Sequence, residues 1–107
     1  MSLDITLEAV RPTEVFEANI THNLNKMADA CGLYYYIWRP EETEVKVAGD
    51  LIPHLEGGLK LLLGDPEYYK SFNPPNGWGN YDGFVRFVQK YLQACRDNPG
   101  ATMRACR

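Results

Sequence analysis

Hydrophobic and polar residues alternate near the start of the chain. Ile5, Leu7 and Ala9 interleave with Asp4, Thr6 and Glu8, the period of two that marks a half-buried strand. Pro12 ends this pattern, and residues 1–3 are set aside as a candidate remnant of expression. Residues 15–20 read either as a second short strand or as an extended connection. At Thr21 the period changes. Leu24, Met27, Ala28 and Cys31 fall at i, i+3, i+4 and i+7, one face of a helix, which predicts a helix over 22–31. Thr21 or Asn19 can cap it, the side-chain oxygen accepting from an orphan backbone N–H. Gly32 suits the left-handed position that stops a helix.

Residues 33–38, Leu-Tyr-Tyr-Tyr-Ile-Trp, are strand-prone by propensity. Their context equally fits a short buried helix that ends before Pro40. Residues 41–47 read as an exposed acidic loop or a short strand. Leu51, Ile52, Leu55, Leu59, Leu62 and Leu63 then form a second helical stripe. Pro53 sits in its first turn, where the missing N–H removes no internal bond. Gly57 and Gly58 each cost that helix about 1 kcal/mol relative to alanine, which implies close approach to a neighbouring element. Gly64-Asp65-Pro66 ends the helix, and residues 66–72 fit one or two further turns. Residues 73–80, rich in Asn, Pro and Gly, form a loop. Asn80 can cap the most regular segment. Phe84, Phe87, Val88, Tyr91, Leu92 and Cys95 line one face, and Asp82, Arg86, Gln89, Lys90, Gln93 and Arg96 the other. After Asn98-Pro99-Gly100, residues 101–106 alternate weakly and can pair with the N-terminal strand. The expected fold class is α+β: a compact single domain, 1–107, with three main helices packed with a small antiparallel sheet from the N- and C-terminal segments.

Composition narrows the functional classes. The 107 residues are 45% hydrophobic and 23% charged, the balance of an ordinary globular protein. No apolar run of about 18 residues exists to span a membrane, and the N-terminus lacks the pattern of a signal peptide. A cytoplasmic protein without a membrane partner is expected. Eleven basic against 14 acidic side chains give a net charge of −3, which argues against general nucleic-acid binding. The charge is uneven: −5 over residues 1–50 and +2 over 51–107. Arg86, Lys90, Arg96, Arg104 and Arg107 read as a local basic patch or as a solvated face. The three cysteines, Cys31, Cys95 and Cys106, are odd in number and lack a C-x-x-C pair. Free thiols in a reducing compartment are expected. Neither a metal nor a cofactor is expected, because the His and Cys residues are scattered singly. So short a chain buries a marginal core and a small sheet leaves edges, so a homodimer is compatible with it.

Three polar-aromatic clusters carry the candidate chemistry. Thr21-His22-Asn23 lies at a helix start, where free N–H groups favour anions. His22 there is the candidate acid or base, or simply an exposed residue beside two caps. Trp38-Arg39 pairs an indole with a guanidinium that can clamp a carboxylate or phosphate; alternatively Arg39 anchors the acidic segment and Trp38 fills core. In Asn76-Gly-Trp78-Gly-Asn-Tyr81, an aromatic held between glycines serves equally as a binding platform or as a lid over the core. His54, within an apolar stripe, reads as a core neighbour. Phosphate-loop, dinucleotide, zinc-protease and nucleophile-elbow signatures are absent from the sequence.

These segments carry a resemblance. Ile-Thr-His-Asn-Leu at 20–24, Trp-Arg-Pro-Glu-Glu at 38–42, Asp-Leu-Ile-Pro at 50–53, Phe-Asn-Pro-Pro-Asn-Gly-Trp-Gly at 72–79 and the helix at 84–96 resemble a family of small uncharacterised proteins met in phages, prophages and bacterial genomes. The likeness spans roughly 4–107 and implies a genomic setting without an activity. Three functions follow as expectations. The first is a non-enzymatic binding module that presents Thr21, His22, Asn23, Trp38, Arg39, Asn76, Trp78 and Tyr81 as one patch to a protein or small anionic ligand. The second is a small enzyme with His22 as acid or base and Arg39 as anion clamp. The third is a structural or assembly protein.

Overall fold

A computed structural model describes residues 2–8 and 14–107. Its sheet has three antiparallel strands in the order β2-β1-β3: β1 (Ser2–Glu8), β2 (Glu14–Thr21) and β3 (Thr102–Cys106). The α+β class and the sheet drawn from both chain ends are therefore present, and residues 15–20 are strand. Strand β1 is central, with Ile5 opposite Ala18 on one side and Ala105 on the other. Leu3, Ile5 and Leu7 are fully buried on its inner face. Ser2 and Leu3, set aside from sequence, are thus integral to the fold; Ser2 pairs with Thr21. Ala9 and Pro12 lie outside the described residues.

Among the described residues the helices are α1 (Asn25–Ala30), α2 (Tyr34–Trp38), α3 (Ala48–Gly64), α4 (Pro66–Lys70) and α5 (Tyr81–Asp97); α1, α3 and α5 fall on the three helical stripes, and α2 and α4 are short additions. Short 3-10 turns precede α1 at His22–Leu24 and follow α2 at Pro40–Glu42. Gly32, two residues past the end of α1, has a left-handed φ of 79°. The open choice for residues 33–38 resolves as helix. Leu33, Ile37 and Trp38 are buried at a spacing of four and five, one helical face, with Leu33 seated against Gly58 of the next long helix.

Helix α3 begins at Ala48, three residues before its apolar stripe. Its first orphan donors are satisfied from far along the chain: Ala48 N–H donates to the Ala101 carbonyl and Gly49 N–H to that of Pro99, each at 2.8 Å. The Asp50 carboxylate closes the end by accepting from the N–H groups of Lys46 and Val47. Gly58 meets the expectation of close approach. A Cβ there would lie 2.3 Å from Leu33 Cγ, whereas one at Gly57 would touch nothing. The buried stripe of α3 runs through Leu51, Leu55 and Leu62, and Leu63 departs from it, 53% exposed beside the equally exposed Leu61. Helix α5 supplies the opposing wall with Phe84, Val88, Tyr91 and Cys95. Phe16 of β2 stacks on Tyr91 at 6.0 Å and ties helix to sheet. No helix among the described residues is long and apolar enough to cross a membrane.

Candidate functional site

The loop between α4 and α5 is braced from within. Asn73 Oδ1 accepts from the Tyr81 N–H at 2.7 Å, and Asn76 Oδ1 from the Trp78 N–H at 3.0 Å. Gly77 and Gly79 take φ of 76° and 94°, a region that side-chain-bearing residues avoid. Gly79 also sits hard against the end of β2, since a Cβ there would come 2.6 Å from Thr21 Cγ2. The clamp leaves the intervening indole outside: Trp78 is 71% exposed. Of the two readings open for Trp78, the lid over the core is excluded.

Opposite the indole stands the junction of β2 and α1. Thr21 Oγ1 caps the His22–Leu24 turn by accepting from the Asn23 N–H at 3.3 Å. The strand-to-turn switch points Thr21 and Asn23 to the same side as Asn76 and Trp78. Together with Ser2 and Asn19 they line a hollow of about 560 Å³. A second hollow of about 710 Å³ shares Asn23 and Asn76 and extends along His22, Asn25, Lys26 and Asn73. Both volumes fall in the range of about 300–1,000 Å³ typical of ligand sites.

Of the eight residues expected to form one patch, Thr21, His22, Asn23, Asn76 and Trp78 line these two hollows, and three do not. Trp38 is 1% exposed and stacks on Tyr34. Its indole N–H donates to His22 Nδ1 at 2.8 Å. An indole nitrogen can only donate, so Nδ1 accepts and the imidazole proton resides on Nε2. No carboxylate or thiol hydrogen-bonds His22 among the described residues. The polar edge of Trp38 thus orients His22 from behind and is not itself presented. Arg39 is directed elsewhere: its Nε donates to the Tyr34 hydroxyl at 3.1 Å and a terminal nitrogen pairs with Glu42 at 2.9 Å. Tyr81 is buried, its hydroxyl donating to the Leu62 carbonyl at 2.7 Å. That carbonyl is an orphan of the last turn of α3, so Tyr81 is a tertiary cap.

Sequence reasoning missed Ser2, Asn19, Asn25 and Asn73 at the hollows. A usable signal existed in the density of asparagine on both sides of the clamp, at 19, 23 and 25 and at 73, 76 and 80. Elsewhere, His54 stacks on Tyr36 at 3.8 Å and its Nε2 lies 3.2 Å from Glu44, pinning the acidic segment to α3. Much of the basic set is paired: Arg96 with Glu56 at 2.7 Å, Arg104 with Glu8 at 3.7 Å and Arg107 with Glu41 at 2.6 Å. The Arg107 guanidinium holds the Glu41 carboxyl below its ordinary range. Burial pushes the Cys31 thiol up to about 11 and that of Cys95 to about 12; Cys106 is exposed. Among the described residues no three His, Cys, Asp or Glu side chains are grouped to hold a metal ion.

Comparisons of the chain with protein-family models, with curated proteins and with solved structures return no match.

Proposed function

We propose that the protein is a non-enzymatic binding module whose ligand lies between the exposed Trp78 and the β2–α1 junction. One observation carries the reading. Two segments more than 50 residues apart in sequence converge so that Thr21, Asn23, Asn76 and Trp78 line a single hollow, and the aromatic among them is held out of the core by its own backbone. Binding groups are commonly mounted on loops that a rigid scaffold positions. The resemblance of these same segments to a phage and prophage family supplies the setting. Chemical-shift mapping of the labelled protein against inorganic phosphate, a nucleotide, a neutral oligosaccharide and an acidic peptide tests it. Saturable shifts centred on Asn23, Asn76 and the Trp78 indole are expected for at least one probe. Shifts confined to other faces, or none, overturn the proposal.

A further inference from the structure

The hydrogen-bonding capacity left over in the Trp78 hollow identifies the ligand's chemistry, given that this hollow is the binding face proposed above. Asn19 donates both to the Ser2 hydroxyl at 2.9 Å and to the Asp4 carboxylate, so its amide nitrogen is committed and its Oδ1 remains an acceptor. Asn76 has the opposite assignment. Its Oδ1 accepts from the Trp78 N–H, which leaves the amide nitrogen with two donors. The Asn23 side chain has no protein partner among the described residues and offers both kinds of group. Thr21 Oγ1 already accepts from the Asn23 N–H and retains its hydroxyl proton as a donor.

The hollow therefore presents neutral donors and acceptors side by side. An anion would satisfy only the donors and would face the Asn19 carbonyl with the Asp4 carboxylate behind it. Among the described residues no cation lines this hollow; Lys26 lines the second one. A cation would leave the Asn76 donors unpaired. Among the described residues no aliphatic side chain lines this hollow, so beyond the indole it offers no apolar wall to seat a partner's side chain. A hydroxyl group both donates and accepts, so neighbouring hydroxyls on a neutral ring match the mixed pattern. The remaining wall is the rigid indole, flat and apolar, which suits the C–H face of such a ring while the hydroxyl edge meets the amides. The shared Asn23 and Asn76 continue the surface into the second hollow, where Asn25 and Asn73 repeat the same chemistry.

We infer that the ligand is a neutral oligosaccharide, one ring stacked on Trp78 and the next directed along Asn23 and Asn76. The test uses the full chain with chitotetraose, cellotetraose and maltotetraose, beside inorganic phosphate and a capped polar tetrapeptide, read by calorimetry and by the Trp78 indole and Asn side-chain resonances. At least one tetrasaccharide is expected to bind saturably with shifts at Asn23, Asn76 and Trp78, unaffected by phosphate. Trp78→Ala is expected to weaken that binding about tenfold or more, with loss of the aromatic contact and its buried area. Asn23→Ala and Asn76→Ala are each expected to weaken it about threefold to tenfold, the range of a neutral hydrogen bond. All three side chains are exposed, and a native-like amide spectrum of each variant separates lost binding from lost fold. Phosphate or peptide binding at these residues without any saccharide overturns the sugar assignment and leaves the binding face standing. Saccharide shifts elsewhere, or no shift with any probe, overturn both.

Discussion

Two adjacent glycines in α3 are expected to respond to the same substitution with opposite sign. A Cβ at Gly58 would lie 2.3, 2.4 and 2.7 Å from Leu33 Cγ, Cδ1 and Cδ2, against an optimal carbon–carbon separation of about 3.5–4.0 Å. Leu33 must then retreat by roughly 1 Å or more. It is 1% exposed, so its retreat displaces other core side chains. Overpacking of this kind costs about 1–3 kcal/mol, and the better helix propensity of alanine returns about 1 kcal/mol. Gly58→Ala should therefore destabilise by up to about 2 kcal/mol. At Gly57 nothing lies within 4 Å of the added atom, so only the propensity gain of about 0.5–1 kcal/mol remains. At about 4–8 °C per kcal/mol, thermal melts should place Gly57→Ala above Gly58→Ala in Tm, by about 2–20 °C. A double-mutant cycle isolates the contact. Leu33→Ala alone should cost about 2–5 kcal/mol, and Gly58→Ala in that background should be neutral or stabilising, because the methyl enters vacated space. Equal shifts at positions 57 and 58, or strict additivity of Leu33→Ala with Gly58→Ala, would refute the reasoning.

Further outcomes follow from single contacts. His22→Ala removes the acceptor of the Trp38 indole N–H and should cost about 1–3 kcal/mol in chemical denaturation, with a shifted near-ultraviolet tryptophan signal; an unchanged midpoint would show that the bond contributes nothing. Tyr81→Phe uncaps the Leu62 carbonyl and should lower stability by about 1 kcal/mol, whereas removing the exposed Arg96–Glu56 pair should change it by less than about 1 kcal/mol. The backbone donors at Lys46 and Val47 hold the Asp50 carboxyl below its ordinary 3.8. Its contribution is therefore full above that value and is lost as pH falls through the depressed one, so Asp50→Ala should flatten the acid limb of the stability profile. Native protein should expose a single reactive thiol, Cys106, to an aromatic disulfide reagent, with Cys31 and Cys95 reacting only after unfolding.

The chain's local patterns determined most of its elements, because each depended on neighbours in sequence. The period of two in β1, the stripe of α5 with its Asn80 cap, the Gly32 stop and the Asn-Pro-Gly loop all follow from interactions within a few residues. Where the deciding partner is distant, local pattern was insufficient. Residues 33–38 became helix because that geometry puts Leu33, Ile37 and Trp38 together on the core side, with Leu33 against Gly58 of α3. Helix α3 starts at Ala48 because carbonyls of Pro99 and Ala101 receive its first N–H groups. Leu3 proved to be core only once β1 was placed between two strands. The candidate site divides in the same way. Composition marked Thr21, Asn23, Asn76 and Trp78 as unusual, but only the close approach of Gly79 to Thr21 put them around one hollow. The same tertiary packing turned Trp38 and Tyr81 inward, where burying an indole and a phenol is favourable once each polar tip finds a partner, and paired Arg39 with its own neighbours. Sequence order limits what a side chain can reach within a turn or two; which distant surfaces meet is decided by how the apolar faces of helices and sheet close on each other.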